Sequence, residues 1–151
     1  MAEVKDRLRA DMTAAMKAKD SFTLGVLRMA LAAIGNEEVA GEAARELSND
    51  EEQAVIARQV RSRRESAQAY AAGNRPELAE KEGREADLLS AYIPAPLTEA
   101  EVDAIVAEEV AAIEGATIKQ MGLIIKAVNA RTQGRADGST VAAKVRSALV
   151  G

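Results

Sequence analysis

The strongest constraint on the fold is a helix-start signal that occurs three times in the sequence. It pairs a Ser or Thr with a Glu or Gln three residues later, in Ser48/Glu51, Thr98/Glu101 and Thr117/Gln120. In such a capping box, the hydroxyl and the longer side chain each satisfy a free backbone amide at the helix start. Aromatic residues make up only 2% of the chain, so the core must consist of aliphatic side chains, as in close-packed helices. We therefore predict an all-α protein.

Apolar spacing and turn residues predict seven helices and one domain boundary. The helices are expected at about residues 3–19, 22–35, 48–72, 76–92, 98–115, 118–131 and 139–150. Pro94 and Pro96 in the segment YIPAPLT cannot continue a helix, so the boundary is placed there. The prediction is a multihelical N-terminal domain at residues 1–93, followed by a small three-helix C-terminal bundle at residues 94–151.

Two features of the N-terminal part give specific packing predictions. The second helix is apolar almost all round, with Leu27 and Met29 on different sides, which predicts a place at the centre of a bundle. On the third helix, Arg63 lies on the apolar stripe, whereas the other arginines of that helix point elsewhere. If the third and fourth helices form an antiparallel hairpin, Arg63 faces Glu85, and we predict an inward ion pair between them.

The absence of Cys and His removes several classes of function. Disulfides, thiolate metal sites and cysteine nucleophiles are excluded, and the commonest general base and zinc ligand is missing. No catalytic constellation is visible, so we expect no catalytic residue, no metal and no cofactor. The sequence shows no signal peptide and no apolar stretch long enough for a membrane span, which predicts a cytoplasmic protein.

The charge distribution separates the end of the chain from the rest. The formal charge of −4 argues against general affinity for polyanions, but from residue 117 onwards Asp137 is the only acid among the charged residues. In the sixth predicted helix, Leu123 lies between Lys119 and Lys126 on the outer face. The opposite, inner face is expected to carry Met121, Ile125 and Val128. An outward Leu is either a lone exposed residue or part of a contact site.

The segment TQGRADGST, which follows the sixth helix, has three possible roles: a phosphate cradle, a metal loop or a helix connection. A phosphate cradle needs a preceding strand and a Lys at fixed spacing, and a calcium loop needs alternating carboxylates; neither pattern is present. We favour a connection with Gly134 in a left-handed conformation, and with Asp137 or Ser139 capping the next helix. Gly138 would allow a tight approach there. Arg135 would then lie exposed beside a helix N-terminus, which favours an anion such as a nucleic-acid phosphate.

Four blocks of the sequence resemble the GatB/YqeY family, in the same order along the chain. They are LRMALAAIGNEE from Leu27, RRESAQAYAAGNRPELAEKE from Arg63, YIPAPLT from Tyr92 and MGLIIKAVNARTQGRADGSTVAAKV from Met121. The last block departs from the family pattern where Lys126 and Ala130 replace an expected Gly and Pro, and where Leu123 replaces an expected basic residue. The resemblance implies an all-helical fold with a larger N-terminal domain and a three-helix C-terminal domain.

The same two-domain unit is similar to the tail of the B subunit of the glutamine-dependent amidotransferase, which converts misacylated tRNAs into Gln-tRNA and Asn-tRNA. In that enzyme the tail is associated with holding tRNA, and the kinase and transamidation chemistry lies in other domains. The resemblance implies a tRNA-linked role, and at family level a carbon–nitrogen ligase with glutamine as amido-N-donor. It implies no catalytic site in this chain.

Two functions remain open from the sequence. In the first, the protein is a non-catalytic tRNA-binding module whose phosphate contacts come from Arg131, Arg135, Lys144, Lys119 and Lys126. In the second, it is a protein-interaction adaptor that uses Leu123 to dock an aminoacyl-tRNA synthetase or an amidotransferase subunit. An autonomous carbon–nitrogen ligase has the least support.

Overall fold

A computed structural model describes residues 3–132 and 134–150, and its all-α fold confirms the predicted class. The helices are α1 (Glu3–Lys17), α2 (Ser21–Glu38), α3 (Asn49–Ala72), α4 (Pro76–Ser90), α5 (Glu99–Ala111), α6 (Met121–Thr132) and α7 (Gly138–Val150). A short 3₁₀ turn, Ile118–Gln120, leads into α6. None of the helices in the described ranges has the length and apolar character of a membrane-crossing segment.

The predicted helix starts are more accurate than the predicted helix ends. All three capping boxes are formed, although the box at Thr117 opens the 3₁₀ turn rather than an α-helix directly. At the other ends, α3 stops at Ala72 as predicted, whereas α5 stops at Ala111 instead of Gly115 and α4 at Ser90 instead of Tyr92. A capping box is fixed by hydrogen bonds within four residues, whereas the last turn of a helix also depends on what packs beside it.

The chain divides into two compact units, Met1–Pro94 and Ala95–Gly151, and each has its own apolar core. In the first unit, α1 to α4 bury aliphatic side chains together with Tyr92. In the second unit, α5, α6 and α7 all pack against one another. The core of the second unit consists of Val102, Val106, Ile124, Val128, Val141 and Val145. Its small, branched side chains suit helices that approach closely.

The α3–α4 hairpin contains the predicted ion pair. A three-residue turn at 73–75 joins the two helices, which pack along each other and must therefore run in opposite directions. Arg63 Nε donates to Glu85 Oε2 at 3.1 Å, and the two residues are only 5% and 8% exposed. Arg63 Nη1 also donates to Gln59 Oε1 at 2.8 Å. The prediction of an inward Arg63–Glu85 pair is confirmed.

The expected central position of α2 is only partly met. Val26, Leu27, Ala30 and Ile34 are buried, and α2 packs against α1, α3 and α4. Met29, however, is 58% exposed, so one side of this apolar helix remains uncovered. Hydrophobic composition favours burial, but it does not determine how many neighbouring helices are available to cover a surface.

Candidate functional site

The structure places two of the predicted anion-binding residues against carboxylates of α5. Arg131 on α6 reaches Glu108 at 2.7 Å and Glu109 at 3.2 Å. Lys144 on α7 reaches Asp103 at 2.7 Å and Glu99 at 3.8 Å. These four acids all belong to α5, and the packing of the three helices brings them beside the basic residues of α6 and α7.

These ion pairs raise the pKa of both cations. Hydrogen bonds from Arg131, first to Glu108 and then to Glu109, raise the pKa of its guanidinium above the ordinary value. A hydrogen bond to Asp103 likewise raises the pKa of Lys144. Both cations remain charged, but part of their charge is balanced locally. A phosphate that approaches either side chain must compete with carboxylates already in contact.

Arg135 links the connection between α6 and α7 to the segment before α5. Its Nε donates to the Ala95 carbonyl at 2.9 Å, and its own carbonyl accepts the Leu97 amide at 2.9 Å. The residue is partly buried. Arg135 therefore positions the Ala95–Leu97 segment within the second unit.

The rest of TQGRADGST has the geometry of a helix connection, although Gln133 lies outside the described residues. Gly134 has a φ of +80°, the left-handed conformation that ends many helices. The Asp137 carboxylate accepts the Thr140 amide at 3.3 Å and the Ser139 hydroxyl, so Asp137 caps α7. Gly138 is the first residue of α7. Since a carboxylate already occupies the helix N-terminus, a phosphate gains less from the backbone amides there.

The outer surface of α6 combines an exposed apolar side chain with two lysines. Leu123 is 62% exposed, one turn from Lys119 and from Lys126. The ion pairs found among the described residues do not include Lys119 or Lys126. Gly122 and Ala130 are exposed on the same side. We call these five residues, Lys119, Gly122, Leu123, Lys126 and Ala130, the α6 face.

The inner side of α6 differs in part from the prediction. Val128 is fully buried as expected, but Met121 and Ile125 are only partly buried, and Ile124 is the other main core residue. Ile118, in the 3₁₀ turn, is 52% exposed and adds apolar area near Lys119. Helical periodicity does not indicate this exposure, because a 3₁₀ turn rotates side chains by a larger angle per residue than an α-helix does.

Sequence reasoning also missed two polar contacts in the first unit. Glu52 is 1% exposed and accepts the Lys5 amide at 3.2 Å, which satisfies an amide at the start of α1; burial raises the pKa of the Glu52 carboxyl. The Tyr92 hydroxyl donates to the Asp11 carboxylate. Arg7 lies over the Tyr92 ring at 4.9 Å from its centroid. These contacts join α1 to α3 and to the segment after α4.

The second unit as a whole is not basic. Its cations are Lys119, Lys126, Arg131, Arg135, Lys144 and Arg146. Its acids are Glu99, Glu101, Asp103, Glu108, Glu109, Glu114 and Asp137, which outnumber the cations by one. Within the described parts of the chain, no three acidic side chains are grouped so that they could hold a metal ion. Among the described residues of this unit, Lys119 and Lys126 are two cations without an ion pair that lie on one face.

The chain is similar to a known protein family. A sequence profile described as "Yqey-like protein" matches residues 5–149, nearly the whole chain and both compact units. A search of curated proteins found no match.

Proposed function

Because the chain belongs to the YqeY-like family, we propose that it is a non-catalytic adaptor which docks a protein through the α6 face of its second unit. The partner class is an aminoacyl-tRNA synthetase or an amidotransferase subunit, as the family resemblance to the amidotransferase tail implies. In this proposal the glutamine-dependent carbon–nitrogen ligase activity belongs to the partner.

One observation carries the proposal: Leu123 is 62% exposed in the first turn of α6 and lies between two lysines that have no ion pair among the described residues. An aliphatic side chain that is exposed on a helix between two cations suits a contact site that combines apolar and charged groups. By contrast, Arg131 and Lys144 are engaged with carboxylates of α5. Hence the α6 face is the part of the second unit best suited to contact another molecule.

The test is retention of a partner by the full-length protein. We expect a synthetase or amidotransferase subunit to be retained after nuclease treatment and at moderate salt, and to be lost with Leu123→Asp. The matched control is Val39→Asp in the first unit, because Val39 is also 62% exposed. An acidic residue in the first turn of α6 suits the helix dipole, so the variant is expected to fold. Equal retention by both variants would refute the adaptor function.

A second candidate function is tRNA binding. It is supported by the two lysines of the α6 face and by Arg146, because none of these three cations has an ion pair among the described residues. Phosphate contacts make affinity fall steeply as salt rises. The charge reversal Lys119→Glu/Lys126→Glu should then abolish tRNA binding in a filter or anisotropy assay. The control reversal uses Arg9 and Arg28, two exposed cations of the first unit. Binding that is equally weakened by both reversals, or absent at low salt, argues against this candidate.

A further inference from the structure

The α6 face has a specific arrangement of charge and shape. Lys119 and Lys126 are seven residues apart, which separates them by about 10 Å along a helix axis. Gly122 and Leu123 lie between them along the axis. At about 100° per residue, these two positions fall on opposite sides of the line that joins the lysines. The face therefore has a cation at each end. Between them lie a glycine, which has no side chain, and an exposed apolar side chain.

Gly122 is not required by packing within this chain. A Cβ atom added there would meet nothing within 4 Å, and the residue is the second of α6, where Gly is a weaker helix former than Ala. Gly25, Gly35 and Gly83 also have open surroundings. Gly122 differs from them in its place between two lysines and beside an exposed Leu. Its missing side chain leaves room for another backbone to approach α6 closely.

We propose that the α6 face receives an acidic amphipathic helix of the partner. Its backbone passes over Gly122, Leu123 packs between its apolar side chains, and carboxylates at positions i and i+7 pair with Lys119 and Lys126. The inference rests on the proposed adaptor function and specifies the chemistry of the docked segment.

Charge and apolar content together favour a helix over a nucleic acid as the occupant. Two unpaired lysines attract carboxylates or phosphates equally well, so charge alone does not decide. The centre of the face, however, consists of Gly122 and Leu123, and these residues offer apolar contact but no side-chain donor for a phosphate or a base edge. An amphipathic helix uses both the lysines and the apolar centre.

The experiment measures binding of fluorescent peptides to the full-length protein by anisotropy. The probe is an amphipathic peptide of about 20 residues, long enough to form a helix, with Glu at i and i+7 and Leu or Ala at i+3 and i+4. A second peptide has Lys in place of Glu, and a third has the acidic composition in scrambled order. We expect the acidic peptide to bind at least about tenfold more tightly than either of the others, a difference of about 1.4 kcal/mol.

Two variants test the geometry separately from the charge. Gly122→Gln places a side chain in the space where the peptide backbone would approach α6, so it should weaken binding of the acidic peptide about tenfold or more. The same change should stabilise α6, because Gln is a better helix former than Gly. Gly25→Gln is the matched control, since Gly25 is also helical, exposed and open, but lies in the first unit. The double charge reversal Lys119→Glu/Lys126→Glu should reverse the preference, so that this variant binds the basic peptide more tightly than the acidic one.

The outcomes separate this inference from the adaptor function. If the acidic peptide does not bind selectively, or if Gly122→Gln binds it as tightly as the wild type does, the proposal that an acidic helix binds the α6 face is refuted. Loss of partner retention in Leu123→Asp would still support the adaptor function in that case. If purified tRNA displaces the acidic peptide and binds more tightly in a Lys119- and Lys126-dependent manner, the occupant is RNA and the inference fails.

Discussion

The Arg63–Glu85 pair gives the sharpest prediction about stability, because the same hairpin contains an exposed counterpart. Arg64, the next residue of α3, pairs with Asp87 on α4 at 3.1 Å, the same distance as the buried pair. The side chains of the buried pair are 6% and 11% exposed, whereas those of Arg64 and Asp87 are 50% and 73% exposed. The two pairs differ mainly in their access to water.

The expected losses of stability differ accordingly. Glu85→Leu leaves the buried Arg63 guanidinium with Gln59 as its main remaining partner, and removal of one member of a buried pair costs about 3–5 kcal/mol. Asp87→Ala leaves Arg64 in water and should cost at most about 1 kcal/mol. The double variant Arg63→Met/Glu85→Leu should recover most of the loss, because a buried pair replaced by apolar residues is often near neutral.

The assay can follow the first unit alone. The chain has no Trp, and both tyrosines and the single Phe lie before residue 95, so tyrosine fluorescence reports unfolding of the first unit. With an m value of about 1–3 kcal/mol per M urea, a loss of 3 kcal/mol lowers the midpoint by about 1–3 M. Equal losses in Glu85→Leu and Asp87→Ala would refute the argument that burial determines the cost. So would a double variant as unstable as Glu85→Leu.

Three further predictions concern pH and the helix connections. The Arg45 guanidinium lowers the pKa of Glu51 from 4.5 to about 2, so Glu51 stabilises the fold above pH 4.5 and this contribution is lost as pH falls toward 2. The stability difference between wild type and Glu51→Gln, from urea unfolding, should therefore shrink across that window. Burial and then Asp11 raise the pKa of Tyr92, so stability should fall as pH rises above about 10, and Tyr92→Phe should show less of this loss. Gly134→Ala forces a side chain into a φ of +80° and should cost about 1–2 kcal/mol. That loss should appear in the helical circular dichroism signal and leave tyrosine fluorescence unchanged, and the opposite pattern would contradict it.

Local sequence signals determined much of the fold. The capping boxes at Ser48, Thr98 and Thr117 were visible because each depends on hydrogen bonds within four residues. The Arg63–Glu85 pair was also predictable, since a short turn between two helices fixes which residues face each other. The sequence likewise indicated Leu123 as an outward residue from helical periodicity alone.

Only the tertiary structure decided which cations of the second unit are engaged. Arg131 and Lys144 pair with α5, and Arg135 holds the Ala95 carbonyl, whereas Lys119 and Lys126 lie on the open side of α6. All five have the same formal charge in the sequence, and the carboxylate partners of Arg131 and Lys144 are more than twenty residues away along the chain. Ion pairing depends on separations of a few ångströms between helices, and those separations are set by how the apolar faces pack.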